Sequence, residues 1–171
     1  MKRTRTHVLI SAIVLSITAG VVFAASVHFK NPPPTATRSN DKLTLQVCGA
    51  LSGLGNVDVR VTVTANARPT ATCTNKGGTA APGQNPAEVT VTGATTIPAD
   101  KIKNGNVSFC VTTSPPQQPT WDQAGCANAN WSAQINCMAF SGYTITVEQP
   151  IGNVVLGPTA FAASSSSSSC P

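Results

Sequence analysis

Residues that commonly carry catalysis are few in this chain of 171 residues and lie far apart. Its two histidines, His7 and His28, both lie near the N-terminus, and it has six carboxylates: Asp41, Asp58, Glu88, Asp100, Asp122 and Glu148. A serine or cysteine nucleophile usually needs a histidine as base. Glycoside hydrolysis needs two carboxyl groups beside one bond. The composition therefore favours a protein that is not an enzyme.

Six cysteines are the other reactive side chains: Cys48, Cys73, Cys110, Cys126, Cys137 and Cys170. A zinc site is disfavoured, because no C-x-x-C pair occurs and no histidine follows His28. Outside the cytosol, six cysteines indicate disulfides, and spacing alone leaves all of their possible connectivities open. We therefore expect disulfide bonds, and neither a metal nor a cofactor.

Three aromatic residues are candidates for ligand contact: Trp121, Trp131 and Tyr143. They could form a platform for sugar rings or for a hydrophobic partner. The alternative is that the two tryptophans hold the long segment 114–136 against a domain that is otherwise poor in aromatic residues. Loops of this length are uncommon in compact domains and are often functional.

Threonine pairs of the form Thr-x-Thr recur at Thr62/Thr64, Thr70/Thr72, Thr90/Thr92 and Thr144/Thr146. A flat threonine array could bind ordered water. Their irregular spacing along the chain, and the preference of threonine for solvent-facing strand positions, favour an ordinary strand surface instead.

The N-terminal segment predicts export. Residues 1–24 have a basic start, an apolar stretch and small residues near Ala24, as a cleaved signal peptide does. The alternative is an uncleaved membrane anchor over residues 8–27, the one route by which we expect a membrane contact. Cleavage would remove three basic residues and lower the formal net charge from +5 to +2. Such a chain lacks the concentrated basic surface of a nucleic-acid binder, so we expect a location outside the cell or at its surface.

Apolar and polar residues alternate with period two through most of the remaining chain, as in half-buried strands. The clearest case is Val57, Val59, Val61 and Val63. The apolar positions of this alternation are even-numbered at Phe140 and odd-numbered from Tyr143 onward. This change of parity predicts a bulge or a break at Ser141–Gly142. The pattern predicts an all-β fold, an immunoglobulin-like antiparallel sandwich of about seven strands, with a small closed β-barrel as the alternative.

Composition also suggests the boundaries of this domain. Residues 25–40 contain three consecutive prolines and are predicted to be an extended linker. The sandwich is predicted over residues 41–157. Residues 158–171 include six consecutive serines and are predicted to be a disordered tail.

Several motifs resemble a family of small exported bacterial proteins of uncharacterised function. They are CTN followed by GG at residues 73–78, APGQNP at 81–86, IKNGN at 102–106, and Cys126 with Asn130-Trp131. The resemblance covers roughly residues 43–149 and implies that Cys73 pairs with Cys126. It implies no pairing for Cys48, Cys110, Cys137 or Cys170 and supplies no catalytic residue. We therefore expect an exported, non-catalytic module with a binding or structural role and a glycan or a protein as its partner. A carbohydrate-binding module that uses the loop tryptophans is the alternative.

Overall fold

The computed structural model describes residues 26–84 and 86–170. The predicted signal peptide, residues 1–24, lies wholly outside these residues, as does the alternative membrane anchor apart from residues 26 and 27. The described part contains one 3₁₀ turn, Ala99–Lys101, and nine strands. The strands are β1 (His28–Phe29), β2 (Thr35–Arg38), β3 (Leu45–Ser52), β4 (Val59–Asn75), β5 (Ala80–Pro82), β6 (Val89–Ile97), β7 (Val107–Thr112), β8 (Trp131–Glu148) and β9 (Val154–Ala162).

The strands form two antiparallel sheets, so the predicted all-β, sandwich-like fold is confirmed. In the four-stranded sheet, β3 pairs with β1, β2 and β7. In the five-stranded sheet, β4 pairs with β5, β6 and β8, and β9 pairs with β8. The strand count exceeds the seven expected, because short strands form in segments predicted to be linker or loop.

The core lies between the inner faces of the two sheets. Val59, Val61 and Val63 of β4 are fully buried, and the residues between them are partly exposed, as strand alternation requires. Leu45 and Val47 of β3 form the opposite side of the core and are also fully buried.

Strand β4 continues without a break through a proline. Pro69 has no backbone N–H, and a central strand normally excludes it. Here Pro69 lies opposite Met138, whose own N–H donates to the carbonyl oxygen of Lys42 at 2.9 Å rather than to β4. On the other side of β4, β6 ends its pairing at Ala67 and β5 begins at Thr72. Pro69 therefore occupies a position at which no neighbouring strand would accept a hydrogen bond from a backbone N–H.

The parity change in β8 comes from a bulge. Asn66 of β4 pairs with Gly142, and the next residue, Ala67, pairs with Phe140. Ser141 is the extra residue, so the predicted irregularity is a bulge within one strand. A second bulge places Asn136 between the pairs that Cys137 and Ile135 make with β4. Sequence reasoning did not predict this second bulge.

The predicted linker over residues 25–40 is wrong for its described part. Strands β1 and β2 both pair with β3, and Pro34 and Ala36 are buried. The proline run connects two short strands of the sheet instead of spacing the domain from another segment. The domain therefore begins before residue 41.

The predicted disordered tail is also wrong. β9 extends through Ala162, past the expected boundary at residue 157, and the serines fold back onto the domain. The side chain of Ser167 is fully buried, and its carbonyl oxygen accepts a 2.9 Å hydrogen bond from the N–H of Phe140. Cys170 forms a disulfide with Cys137. Residues 164–170, the C-terminal segment, are thus part of the fold.

Three disulfides join all six cysteines: Cys48–Cys110, Cys73–Cys126 and Cys137–Cys170. Disulfides persist in oxidising compartments, so they indicate an extracytoplasmic environment. Within the described ranges, no helix is both long and apolar enough to cross a membrane.

Candidate functional site

The longest connection of the described chain, residues 113–130 between β7 and β8, is held to the sandwich at several points. The disulfide Cys73–Cys126 joins it to β4. The N–H of Ile135 in β8 donates to the side-chain oxygen of Gln118 at 2.7 Å. The N–H of Gln84 donates to the carbonyl oxygen of Ala124 at 2.8 Å. These contacts make the loop a fixed wall rather than a free connection.

Trp131 helps to hold this loop. A small apolar cluster, separate from the main core, contains Ala71, Cys73, Ala124 and Cys126, and the half-buried Trp131 packs against it. The cluster surrounds the disulfide that fixes the loop. The position of Trp131 therefore agrees with the structural alternative, in which the indole pins the loop.

Trp121 differs from Trp131 in being 39% exposed at the surface of the loop. Its carbonyl oxygen accepts a 2.7 Å hydrogen bond from the N–H of Cys126, so its backbone is fixed within a turn. Aromatic contacts among the described residues involve Phe29, Phe109, Tyr143 and Phe161, and neither tryptophan takes part. The two indoles therefore do not form a stacked platform.

The prediction that Tyr143 contacts a ligand is wrong, because this residue lies in the core. It is 4% exposed, and its ring stacks on that of Phe161 with 5.3 Å between centroids. Its hydroxyl donates to the carbonyl oxygen of Pro34 at 2.9 Å. Burial raises the pKa of this phenol above its usual value.

A groove runs between β6 and the loop. It consists of two clefts of about 500 and 300 Å³ that share Val89 and Gln117. We call it the β6 groove, and every residue that lines it is uncharged. The lining residues are Pro86, Ala87, Val89, Thr90, Val91, Thr92, Ser114, Pro115, Pro116, Gln117, Gln118, Pro119, Gln123 and Ile135.

The outer edge of β6 forms one side of this groove. The carbonyl oxygen of Thr92 accepts a 2.9 Å hydrogen bond from the N–H of Ser114, which lies outside the sheet. Backbone groups alternate in direction along a strand, so Thr90, two residues earlier, also directs its N–H and C=O away from β4. Among the described residues, no loop backbone group is hydrogen-bonded to Thr90. The groove therefore contains an open strand edge.

A cleft of about 680 Å³ beside the middle of β4 contains charged residues. Its lining includes Arg68, Glu88 and the C-terminal Ser168 and Ser169. Among the described residues Glu88 is its one carboxylate, and the hydroxyl of Ser141 lies 3.4 Å from its Oε1. Within that part of the chain, two carboxyl groups suited to glycoside hydrolysis do not converge in this cleft.

Asp122 is the acidic residue of the loop, and its carboxylate takes part in the hydrogen bonds of a turn. The hydroxyl of Thr120 donates to its carboxylate, and this hydrogen bond lowers the pKa of Asp122 below its usual value. Within the described ranges, no group of three or more histidine, cysteine, aspartate or glutamate side chains is arranged to hold a metal ion.

The five-stranded sheet presents a threonine surface that the sequence spacing concealed. Thr64 of β4 lies directly between Thr92 of β6 and Thr144 of β8, and Thr62 lies opposite Thr146. Loops of different length separate these strands along the chain, so the spacing is irregular in sequence and regular across the sheet. The result is a neutral surface of β-branched side chains.

No family model, curated protein or solved structure matches this chain. The resemblance to the family of small exported proteins therefore remains a prediction.

Proposed function

We propose that this protein is an exported, non-catalytic binding module that acts outside the cell or at its surface and takes an extended polypeptide into the β6 groove. The observation that carries the proposal is the fixed loop wall opposite an open strand edge. A loop tied by Cys73–Cys126 and by Gln118 keeps the groove formed in the absence of a partner. Such preorganisation lowers the entropic cost of binding.

The chemistry of the groove favours a polypeptide partner. Thr90 offers a backbone donor and acceptor in the geometry of an added strand, and pairing of an extended peptide with a sheet edge is a recurrent mode of recognition. Val89, Pro119 and Ile135 supply apolar contacts, and Gln117 and Gln118 supply neutral amides. Because the lining is uncharged, we expect peptides with few charged residues.

A displayed library of random peptides tests this function against the oxidised protein. Selected peptides should shift the amide NMR signals of Thr90 and Gln117 and lose affinity in Gln117→Trp, which fills the groove. Thr37→Trp is the matched control, because Thr37 is also exposed and lies on the other sheet. Peptides that bind elsewhere, or that bind the Gln117→Trp variant as well as the native protein, would contradict the proposal.

A carbohydrate-binding module is the second candidate, and the exposure of Trp121 favours it. Sugar rings stack on exposed indoles, and Gln123 lies in the same turn and lines the groove. Titration with soluble polysaccharides, followed by tryptophan fluorescence, should show a spectral shift that Trp121→Ala abolishes. An unchanged spectrum with every polysaccharide would remove this candidate.

Export itself is testable through the mature N-terminus. The composition of residues 1–24 supports cleavage after Ala24 and release from the membrane. Intact mass measurement of the protein recovered from the culture medium should show a chain that begins at Ala25. A chain that retains residues 8–24 and sediments with membranes would instead identify the anchored form.

A further inference from the structure

The three disulfides differ sharply in their access to solvent. Cys73, Cys126 and Cys137 are 2%, 7% and 5% exposed, so the Cys73–Cys126 bond is buried at both ends and the Cys137–Cys170 bond at one. Cys48 is partly exposed and Cys110 is exposed. Attack on a disulfide requires a thiolate to reach one sulfur along the bond. Cys48–Cys110 is therefore the bond most open to such attack.

The fold depends little on the Cys48–Cys110 bond, because the bond joins two strands that are already paired. The two cysteines are directly opposite on β3 and β7, with a Cα–Cα distance of 4.1 Å. The same two strands pair through five further residue pairs. Leu51 and Val47 of β3 and Phe109 of β7 also anchor the strands in the main core. The β3–β7 pairing therefore has its own hydrogen bonds and its own buried side chains.

The side chains directly beside the bond are small or uncharged. Thr35 of β2 lies opposite Cys48, and Gln46 and Thr112 form the nearest pair of β3 and β7 on the same face. Ala50 and Ser108 form the nearest same-face pair toward the other end, and both line a cleft that also contains Lys30 and Lys101. A partner with a shallow surface can reach the sulfur of Cys110 past these neighbouring side chains.

We propose that Cys48–Cys110 is a reversible thiol–disulfide exchange site whose co-reactant is an extracytoplasmic dithiol. A thiolate of the dithiol attacks Sγ of Cys110, the Cys48–Cys110 bond breaks, and Cys48 leaves as a thiolate that takes a proton. The second thiol of the partner, as a thiolate, then attacks the partner's sulfur atom in the mixed disulfide. Cys110 leaves as a thiolate that takes a proton. Two electrons and two protons pass to the cysteine pair, and the dithiol becomes a disulfide.

Stepwise reduction of the full, oxidised protein tests this site, with dithiothreitol as the dithiol. Samples are alkylated after equilibration at each concentration, and the modified cysteines are located by peptide mass. Cys48 and Cys110 should be labelled at a concentration at least about tenfold lower than Cys73, Cys126, Cys137 and Cys170. The far-ultraviolet circular dichroism of the selectively reduced protein should remain that of the oxidised form.

The variant Cys48→Ala/Cys110→Ala provides the control. It should lose the labelling step at low dithiothreitol concentration and retain the step at high concentration. Simultaneous labelling of all six cysteines, earlier labelling of Cys137 and Cys170, or loss of the β-sheet spectrum on first reduction would each overturn the proposal. None of these outcomes bears on the β6 groove, so the two proposals fail independently.

Discussion

The hydroxyl of Tyr143 in β8 donates a 2.9 Å hydrogen bond to the carbonyl oxygen of Pro34, just before β2. This contact joins the two sheets, and it joins the five-stranded sheet to a segment that the sequence suggested was a linker. Pro34 and Tyr143 are both buried, so neither group has water as an alternative partner.

Replacement of Tyr143 by phenylalanine should destabilise the protein. The substitution keeps the ring and its stacking on Phe161, and leaves the buried carbonyl of Pro34 without a donor. We expect a loss of about 1–3 kcal/mol in the free energy of unfolding, measured in urea. The exposed Thr37→Val is the control and should change stability by no more than about 0.5 kcal/mol. Equal stability of the Tyr143→Phe variant and the native protein would show that this bond contributes nothing.

The same residue predicts a loss of stability at high pH. Tyr143 is the single tyrosine of the chain, and burial raises its pKa above the usual 10.0. Because the folded state holds the phenolic proton more tightly than the unfolded state, the stabilisation is complete below the unfolded pKa and is lost as pH rises through the folded pKa. Absorbance of phenolate near 295 nm should therefore appear together with unfolding. Ionisation at the usual pKa in a fully folded protein would contradict the burial.

Removal of the C-terminal segment should weaken the whole domain. Cys137–Cys170 closes a loop with a sequence separation of 33, for which the chain-entropy model gives roughly 3–4 kcal/mol. A chain that ends at Ala163, with Cys137→Ser to avoid a free thiol, should lose at least this much in urea unfolding. The full-length variant Cys137→Ala/Cys170→Ala separates the covalent contribution from the packing of Ser167. A truncated chain as stable as the full one would restore the interpretation of a dispensable tail.

Gly93 in the middle of β6 should not tolerate alanine. A Cβ atom at this position would lie 2.2 Å from the carbonyl oxygen of Thr112, a backbone atom that cannot turn aside. We expect Gly93→Ala to lower the free energy of unfolding by about 1–3 kcal/mol, as overpacking does. Gly55→Ala is the matched control, since its nearest contact would be an ordinary 3.7 Å to the side chain of Gln149. Similar unfolding midpoints for the two variants would contradict the close approach of β7 to β6.

Sequence alternation predicted the fold class because each strand buries one face. It located the inner face of β4 through Val59, Val61 and Val63, and the bulge at Ser141 through a change of parity. Val57, which belongs to the same pattern, lies before the strand and is exposed. Alternation carries no information on which strands become neighbours. The serine run has no alternation and was therefore predicted to be a disordered tail. A disulfide and the burial of Ser167 instead hold it against the domain.

The candidate site was predictable only in part. The length of the loop after β7 singled out a segment that forms one wall of the β6 groove, the site that we propose. Composition did not separate the roles of the aromatic residues. Trp121 is exposed, Trp131 pins the loop and Tyr143 is in the core, and these differences depend on tertiary packing. The open edge at Thr90 has no signature in the sequence.

Pro69 has a consequence for how the folded domain meets other chains. On the side of β4 that β5 and β6 share, neither strand pairs with the residues between Ala67 and Thr72. An uncovered strand edge can pair with a strand of another chain, and natural sheets often block such edges with proline. Because Pro69 has no N–H to offer in this gap, a foreign strand cannot form a continuous ladder there. Pro69 therefore disfavours aggregation through this stretch of β4.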